Sequence, residues 1–506
     1  MPQLVEFQDS VESLVRFVED TPPADIVQAT YRKLDAGEQP RELLAAAGLA
    51  VSRSTELPNL HHGGPVHPVS GLYAISKLGE RLDGRQALLP AIQSVALANK
   101  HIHSPEMGPG AMAVIDTGPL AGKSKQQLLA GFSEALKGRV TPTAERHLIA
   151  LLDIAEPGEI LEAMLGVATP RNALDDHYFL YLVYAFRSLE AVGWEHAAVM
   201  LRPPLRFLTR HPKMEPGGGE RGAIIADGIA HFRNFGKLEA LVDDRDLAND
   251  GVRFDSGPEE TEAIDALAER ILQADRTASV AQLLADAMAE GLSVMGTCEA
   301  LSIGAGRRYL RTKSGNPFDV HYHTGVNARR YLLSVKGLSL RTRLLALLSW
   351  GFGYEVRHLD GTLTWPSTVT PEELAGLPAR SQQELLDAIA DSITGQPVLD
   401  LDTLEGSIAD VIAAPSVRDT VVLAEQYVAL GYDVGPFFDL MAQLVCHDEM
   451  SEMHAYKMQQ AAFEEYHATR EPFRGVHLVS AVKHAATVTQ MRPQTVYSQV
   501  RALLDA

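Results

Sequence analysis

Cysteine is almost absent: Cys298 and Cys446 are the only two in 506 residues. A disulfide framework is excluded, and a reducing compartment fits best. Long apolar runs are missing too. None approaches the ~20 residues that a membrane-spanning helix needs. The opening "MPQLVEFQDS" has no basic stretch followed by an apolar one, so no secretory signal is expected. Basic charge is short, with 45 Lys and Arg against 65 Asp and Glu, a net charge of −20. That argues against a nucleic-acid or anionic-membrane surface. Alternating strand patterns are scarce, "AMAVID" being the best short candidate. These absences leave a soluble, cytoplasmic protein as the expectation.

Hydrophobic residues, at 46%, are ample for a packed core. Their period is helical. "LYAISKLGERL" sets Leu72, Ile75, Leu78 and Leu82 on one face, and "HYFLYLVYAFRSLEAVG" reads the same way. The expectation is an all-α fold. "MEPGGGERG" marks a loop, and the acidic, Gly-containing stretch at 242–262 reads as a linker near mid-chain. It separates a helical half at 1–241 from another at 263–506.

The two halves resemble each other. At an offset of 254, Val66-His67 matches Val320-His321, Ser70-Gly71 matches Thr324-Gly325, Ala74 matches Ala328 and Leu78 matches Leu332. At an offset of 277, His177 matches His454 and Ala185-Phe186 matches Ala462-Phe463. Two ordered matches, each centred on histidine, predict an internal duplication whose halves pack about a pseudo-twofold axis and bury a shared core.

Histidines gather in boxes. "HHGGPVHPVSG" carries His61, His62 and His67 ahead of a helix for which Ser70 is a fitting N-cap. "KHIHSPEMG" carries His101 and His103 at a helix end, where imidazole is also favoured electrostatically. "DDHYFLY" sets Asp176 beside His177 at a helix start, as ordinary capping or as a carboxylate that orients a ligand. "NPFDVHYHTGVNARRYLL" carries His321 and His323, with Arg329 placed to bind an anionic substrate group or to lie on a helix face. "CHDEMSEMHAYKM" carries His447, Glu449, Glu452 and His454. Neutral imidazole is the commonest nitrogen ligand for Fe, Zn, Cu or Ni. Glu452 precedes His454 by two residues, not three, which disfavours a ferritin-like di-iron site. Duplication ranks His67, His177, His321 and His454 as ligands paired between the halves. Asp176, Glu449 or Glu452 would complete the shell or act as acid and base. His147, His196, His211, His231, His477 and His484 stand alone and read as structural.

Other signals are weaker. "TGPLAGKSK" has one residue too few between its glycines for a phosphate loop and reads as a turn before a helix. "SIGAGRRYL" lacks the strand and third glycine of a dinucleotide fingerprint. Cys298 lies in an apolar helical stretch and reads as a buried structural thiol.

The boxes "HPVSGLYA", "HYHTGVNARRYLL" and "HAYKMQQAAFEEY" resemble segments of questin-oxidase-like helical proteins and of helical domains found alongside Rieske-type proteins, over about a quarter of the chain. The resemblance implies an all-helical fold and oxygenase-like activity on a small organic molecule. Two cysteines leave no room for Rieske Cys/His pairs here. The leading expectation is therefore a metal-dependent oxidoreductase, a non-haem iron oxygenase. Zinc, copper or manganese in a hydrolase, histidine-ligated haem, and a non-catalytic helical interaction protein are the rivals. The partners that such chemistry admits are a small-molecule substrate, an electron-transfer protein and a second copy in a homodimer.

Overall fold

The structure, a computed structural model, describes residues 3–56, 66–107, 110–172, 176–210, 235–249, 251–311, 320–352, 369–397, 415–447, 453–489 and 495–505. Among these residues the chain is all-α, with 23 α-helices and no strand. "AMAVID" supplies only one isolated antiparallel bridge, Ala113 to Leu4. No helix among the described residues is long and apolar enough to cross a membrane.

The chain divides into two compact units. The first takes residues 1–236, 334–343 and 496–506; the second takes 237–333 and 344–495. In the first, α1 (Asp9–Asp20), α2 (Ile26–Asp35), α3 (Pro40–Ser54), α4 (Val66–Gly79) and α5 (Leu89–Ile102) come in succession. They are followed by α6 (Lys125–Lys137), α7 (Thr141–Leu152), α8 (Pro157–Ala168), α9 (His177–Val192), α10 (Ala197–Met200) and α11 (Arg202–Arg210). The second unit begins within a helical stretch at 235–244 and continues with α12 (Thr261–Leu272), α13 (Val280–Ala289), α14 (Val294–Arg311) and α15 (His321–Ser334). After α16 (Leu340–Leu348) come α17 (Pro371–Ala375), α18 (Gln382–Thr394), α19 (Pro415–Ala429), α20 (Gly435–Leu444), α21 (His454–Ala468) and α22 (Gly475–Val488). Thr495–Leu504 forms α23.

Each unit has a helix buried on all sides. In α9 the aromatic and aliphatic residues from Tyr178 to Leu189 face inward around its whole circumference. A helix of this kind belongs at a core, not on a surface. It packs along α4 and reaches α3. Small residues allow the close approach. A Cβ at Gly48 of α3 would stand 2.8 Å from Leu72 Cδ1 of α4. In the second unit, α14 and α22 are the enclosed helices, and α14 packs on α12 through Gly304.

One local expectation meets a different outcome. Helix α4 begins at Val66, ahead of Ser70, so Ser70 lies inside the helix and its hydroxyl donates to the His67 carbonyl at 3.2 Å. The acidic stretch at 242–262 is mostly exposed or half-buried, with Val242, Leu247 and Glu260 as its buried residues among those described. Glu260 is buried and accepts from the Ser293 backbone and hydroxyl, each at 2.7 Å. "TGPLAGKSK" does end in a helix start: Ser124 caps α6 in a capping box with Gln127.

Candidate functional site

In the first unit His67 falls in the first turn of α4 and His177 opens α9, and both are buried. The packing of α4 on α9 brings their rings edge to face, with centroids 5.5 Å apart. Tyr181 lies one helical turn after His177, on the same face. Its ring stacks on His177 at 4.6 Å, and its hydroxyl lies 2.7 Å from His67 Nε2. A metal ion on His67 would take Nδ1, or take Nε2 with the phenol oxygen moved to a neighbouring position. Asp176 is fully buried in the left-handed region (φ 62°), and Asn172 Nδ2 donates to its carboxylate. That conformation is uncommon outside glycine, and a short polar side chain tolerates it best. It turns the chain sharply into α9 and aims His177 inward.

The second unit holds a similar pair. His321 opens α15 and His454 opens α21; both are buried, with ring centroids 5.2 Å apart. Met453, just before His454, is left-handed as well (φ 69°).

His323 joins a different group. Its Nε2 lies 2.9 Å from His477 Nδ1, and His477 Nε2 lies 3.0 Å from the Thr469 hydroxyl. Burial pushes the His323 pKa down to about 4 and that of His484 to about 3, and holds His477 well below the usual value. All three are neutral at pH 7. Beside them Glu465 is fully buried. Burial alone would raise its pKa, but Arg330 at 2.8 Å, with Ser302, brings it below the ordinary carboxylate value.

The remaining predicted residues scatter. His101 is buried with Nδ1 2.6 Å from Met107 Sδ, while His103 is exposed. His447 is half-buried at the end of a short 3₁₀ turn. Arg329 is buried and holds chain together. It donates to the carbonyls of Ala346 (2.8 Å) and Gly325 (2.9 Å) and to the Ser349 hydroxyl (3.0 Å). Its guanidinium thus serves the end of α16 and its own helix, in place of the anionic substrate group suggested by its charge. His61, His62, Glu449 and Glu452 lie outside the described residues. Cys298 and Cys446 are buried thiols whose pKa values burial pushes up to about 11 and about 12, which suits inert structural cysteines.

Sequence reading missed three participants. Tyr181 was detectable, four residues after His177 in "HYFLY". His477 and His484 were detectable as a pair seven apart on one helix face. Their partner His323 lies 154 residues away from His477, and no local pattern reveals that contact. No family model matches the chain, and no curated protein or solved structure does either.

Proposed function

We propose that this protein is a metal-dependent oxidoreductase, a non-haem iron oxygenase acting on a small organic substrate, with His67, His177, His321 and His454 as its metal ligands. One observation carries the reading: each unit presents two buried imidazoles from the starts of two helices, with rings 5.5 Å and 5.2 Å apart. Imidazole sets of this kind suit iron, copper, zinc and nickel. Bound iron would supply oxygen activation. The chain's part is to orient the ligands and to keep water out of the reaction. Tyr181 orients His67 by its hydrogen bond, and Asp176 fixes the direction of His177. The resemblance of the histidine boxes to questin-oxidase-like proteins adds weight to oxygen chemistry.

The same reading includes an ancestral duplication. The left-handed residue before the second histidine recurs, as Asp176 and Met453. That repeated backbone irregularity and the ordered sequence matches around the histidines support descent of both units from one sequence, with the four histidines inherited as two pairs.

Elemental analysis of the purified full-length protein, with its absorption spectrum and oxygen uptake, tests this proposal. Stoichiometric iron is expected, and alanine at any of the four histidines is expected to lower it at least tenfold in affinity. Trace levels of every transition metal would overturn the reading. So would iron retained by all four single variants and by the quadruple variant. Zinc or manganese without oxygen uptake would replace it with a hydrolase that uses a metal-bound water.

A further inference from the structure

A cavity of about 560 Å³ lies within the second unit, lined by residues from α12, α14, α19 and the start of α22. That volume suits a small organic ligand. Leu310, Val428, Phe473 and Val476 supply apolar wall. Close helix contacts fix this wall. A Cβ at Gly475 would stand 2.6 Å from Val428 Cγ1, and one at Gly306 would stand 3.0 Å from Val476 Cγ2.

The charges around the cavity fall into two classes. Arg307 pairs with Asp265 at 2.7 Å and reaches Glu269 at 3.8 Å. Glu471 pairs with Arg474 at 3.2 Å. Glu425 and Arg311 line the same cavity, and among the described residues neither side chain forms an ion pair or a hydrogen bond. They do not pair with each other either. Glu425 is only partly exposed, and burial, with no cation to offset it, pushes its pKa up to about 7. An unpaired carboxyl group and an unpaired guanidinium that line one cavity with apolar residues complement a molecule of the opposite polarity. An ammonium group would restore the charge that burial penalises on Glu425. A carboxylate would match the fork of the Arg311 guanidinium.

We propose that this cavity binds a small zwitterion with an apolar chain, an amino acid being the simplest case. Its ammonium group would meet Glu425, its carboxylate Arg311, and its chain Leu310, Val428, Phe473 and Val476. The proposal is independent of the metal reading, since it uses none of the candidate ligands.

Calorimetric titration of the full-length protein with L-leucine and L-phenylalanine tests it. 3-Methylbutylamine and 4-methylpentanoate serve as probes that carry one charge each. At least one amino acid is expected to bind saturably, and each one-charge probe to bind at least tenfold more weakly. Glu425→Gln and Arg311→Gln are each expected to weaken amino-acid binding at least tenfold, with unchanged circular dichroism and melting temperature showing that both fold. Failure of both amino acids to bind the unaltered protein would overturn the proposal. Equal binding of a one-charge probe would do so too, as would affinity that neither substitution changes.

Discussion

Glu465 has no exposed side-chain surface, and the Arg330 side chain beside it is 12% exposed. Glu465→Gln would leave that guanidinium buried without its counter-charge. A loss of about 3–5 kcal/mol is expected, because an uncompensated buried charge keeps its full desolvation cost. Urea unfolding measures it, and a loss below about 1 kcal/mol would show that water reaches the pair. Glu465 is held below the usual carboxylate range, so its contribution is present above the unfolded value and is lost as pH falls through the folded one. His484 titrates in the same sense. Burial keeps it neutral down to about 3, while the unfolded chain takes up the proton near the usual 6.5. Stability therefore declines as pH drops from 6.5, by about 1.4 kcal/mol per pH unit for each such histidine. His484→Asn should lose less stability between pH 7 and pH 5 than the unaltered protein; identical slopes in urea titrations would contradict this. Tyr181→Phe removes the hydrogen bond that orients His67. A 10–100-fold weaker metal affinity with an unchanged fold is expected, since residues behind a ligand have effects of that size. Competition with a chelator reads it. His67 and His177 were legible as members of separate histidine boxes, matched there to His321 and His454 and not to each other. Tyr181 needed the helical register, and the His323–His477 contact needed the fold.

Helix boundaries show which local rules governed. Apolar periodicity placed α4 and α9, because a three- to four-residue repeat has one stable solution when its stripe is buried. The turn read at "TGPLAGKSK" does lead into a helix, with Ser124 as the cap of α6. At Ser70 the capping rule pointed inside the helix, which already includes the buried Val66 and His67. "AMAVID" alternates as a strand does, but it finds only the bridge at Leu4 and so forms no ladder. Element contacts also carry a prediction. Gly158, the second residue of α8, lies against the backbone of Lys336, and a Cβ there would run into the Lys336 carbonyl oxygen. Backbone cannot yield as a side chain can. Gly158→Ala is expected to cost about 1–3 kcal/mol, the usual range for overpacking, as read from the midpoint of urea unfolding. An unchanged midpoint would mean that segment 334–343 shifts at no cost.

For the whole molecule, metal binding and stability are linked. A ligand that binds only the folded chain stabilises it by about 2.7 kcal/mol at a hundred times its Kd. Chelation is therefore expected to lower the melting temperature, and iron to restore it. A melting temperature indifferent to both would count against the four histidines. The assignment of segments to units was beyond sequence reading. Residues 334–343 and 496–506 belong with the first unit although both lie in the second half of the chain. Composition carries no record of such returns. By itself the sequence determined the helical class and the buried thiol of Cys298, because both follow from periodicity and burial within a few turns. Only the tertiary structure decided which imidazoles face each other, that Arg329 binds main chain, and that Glu425 and Arg311 share a cavity. Those outcomes depend on contacts between residues tens to hundreds of positions apart, which packing sets and local chemistry does not encode.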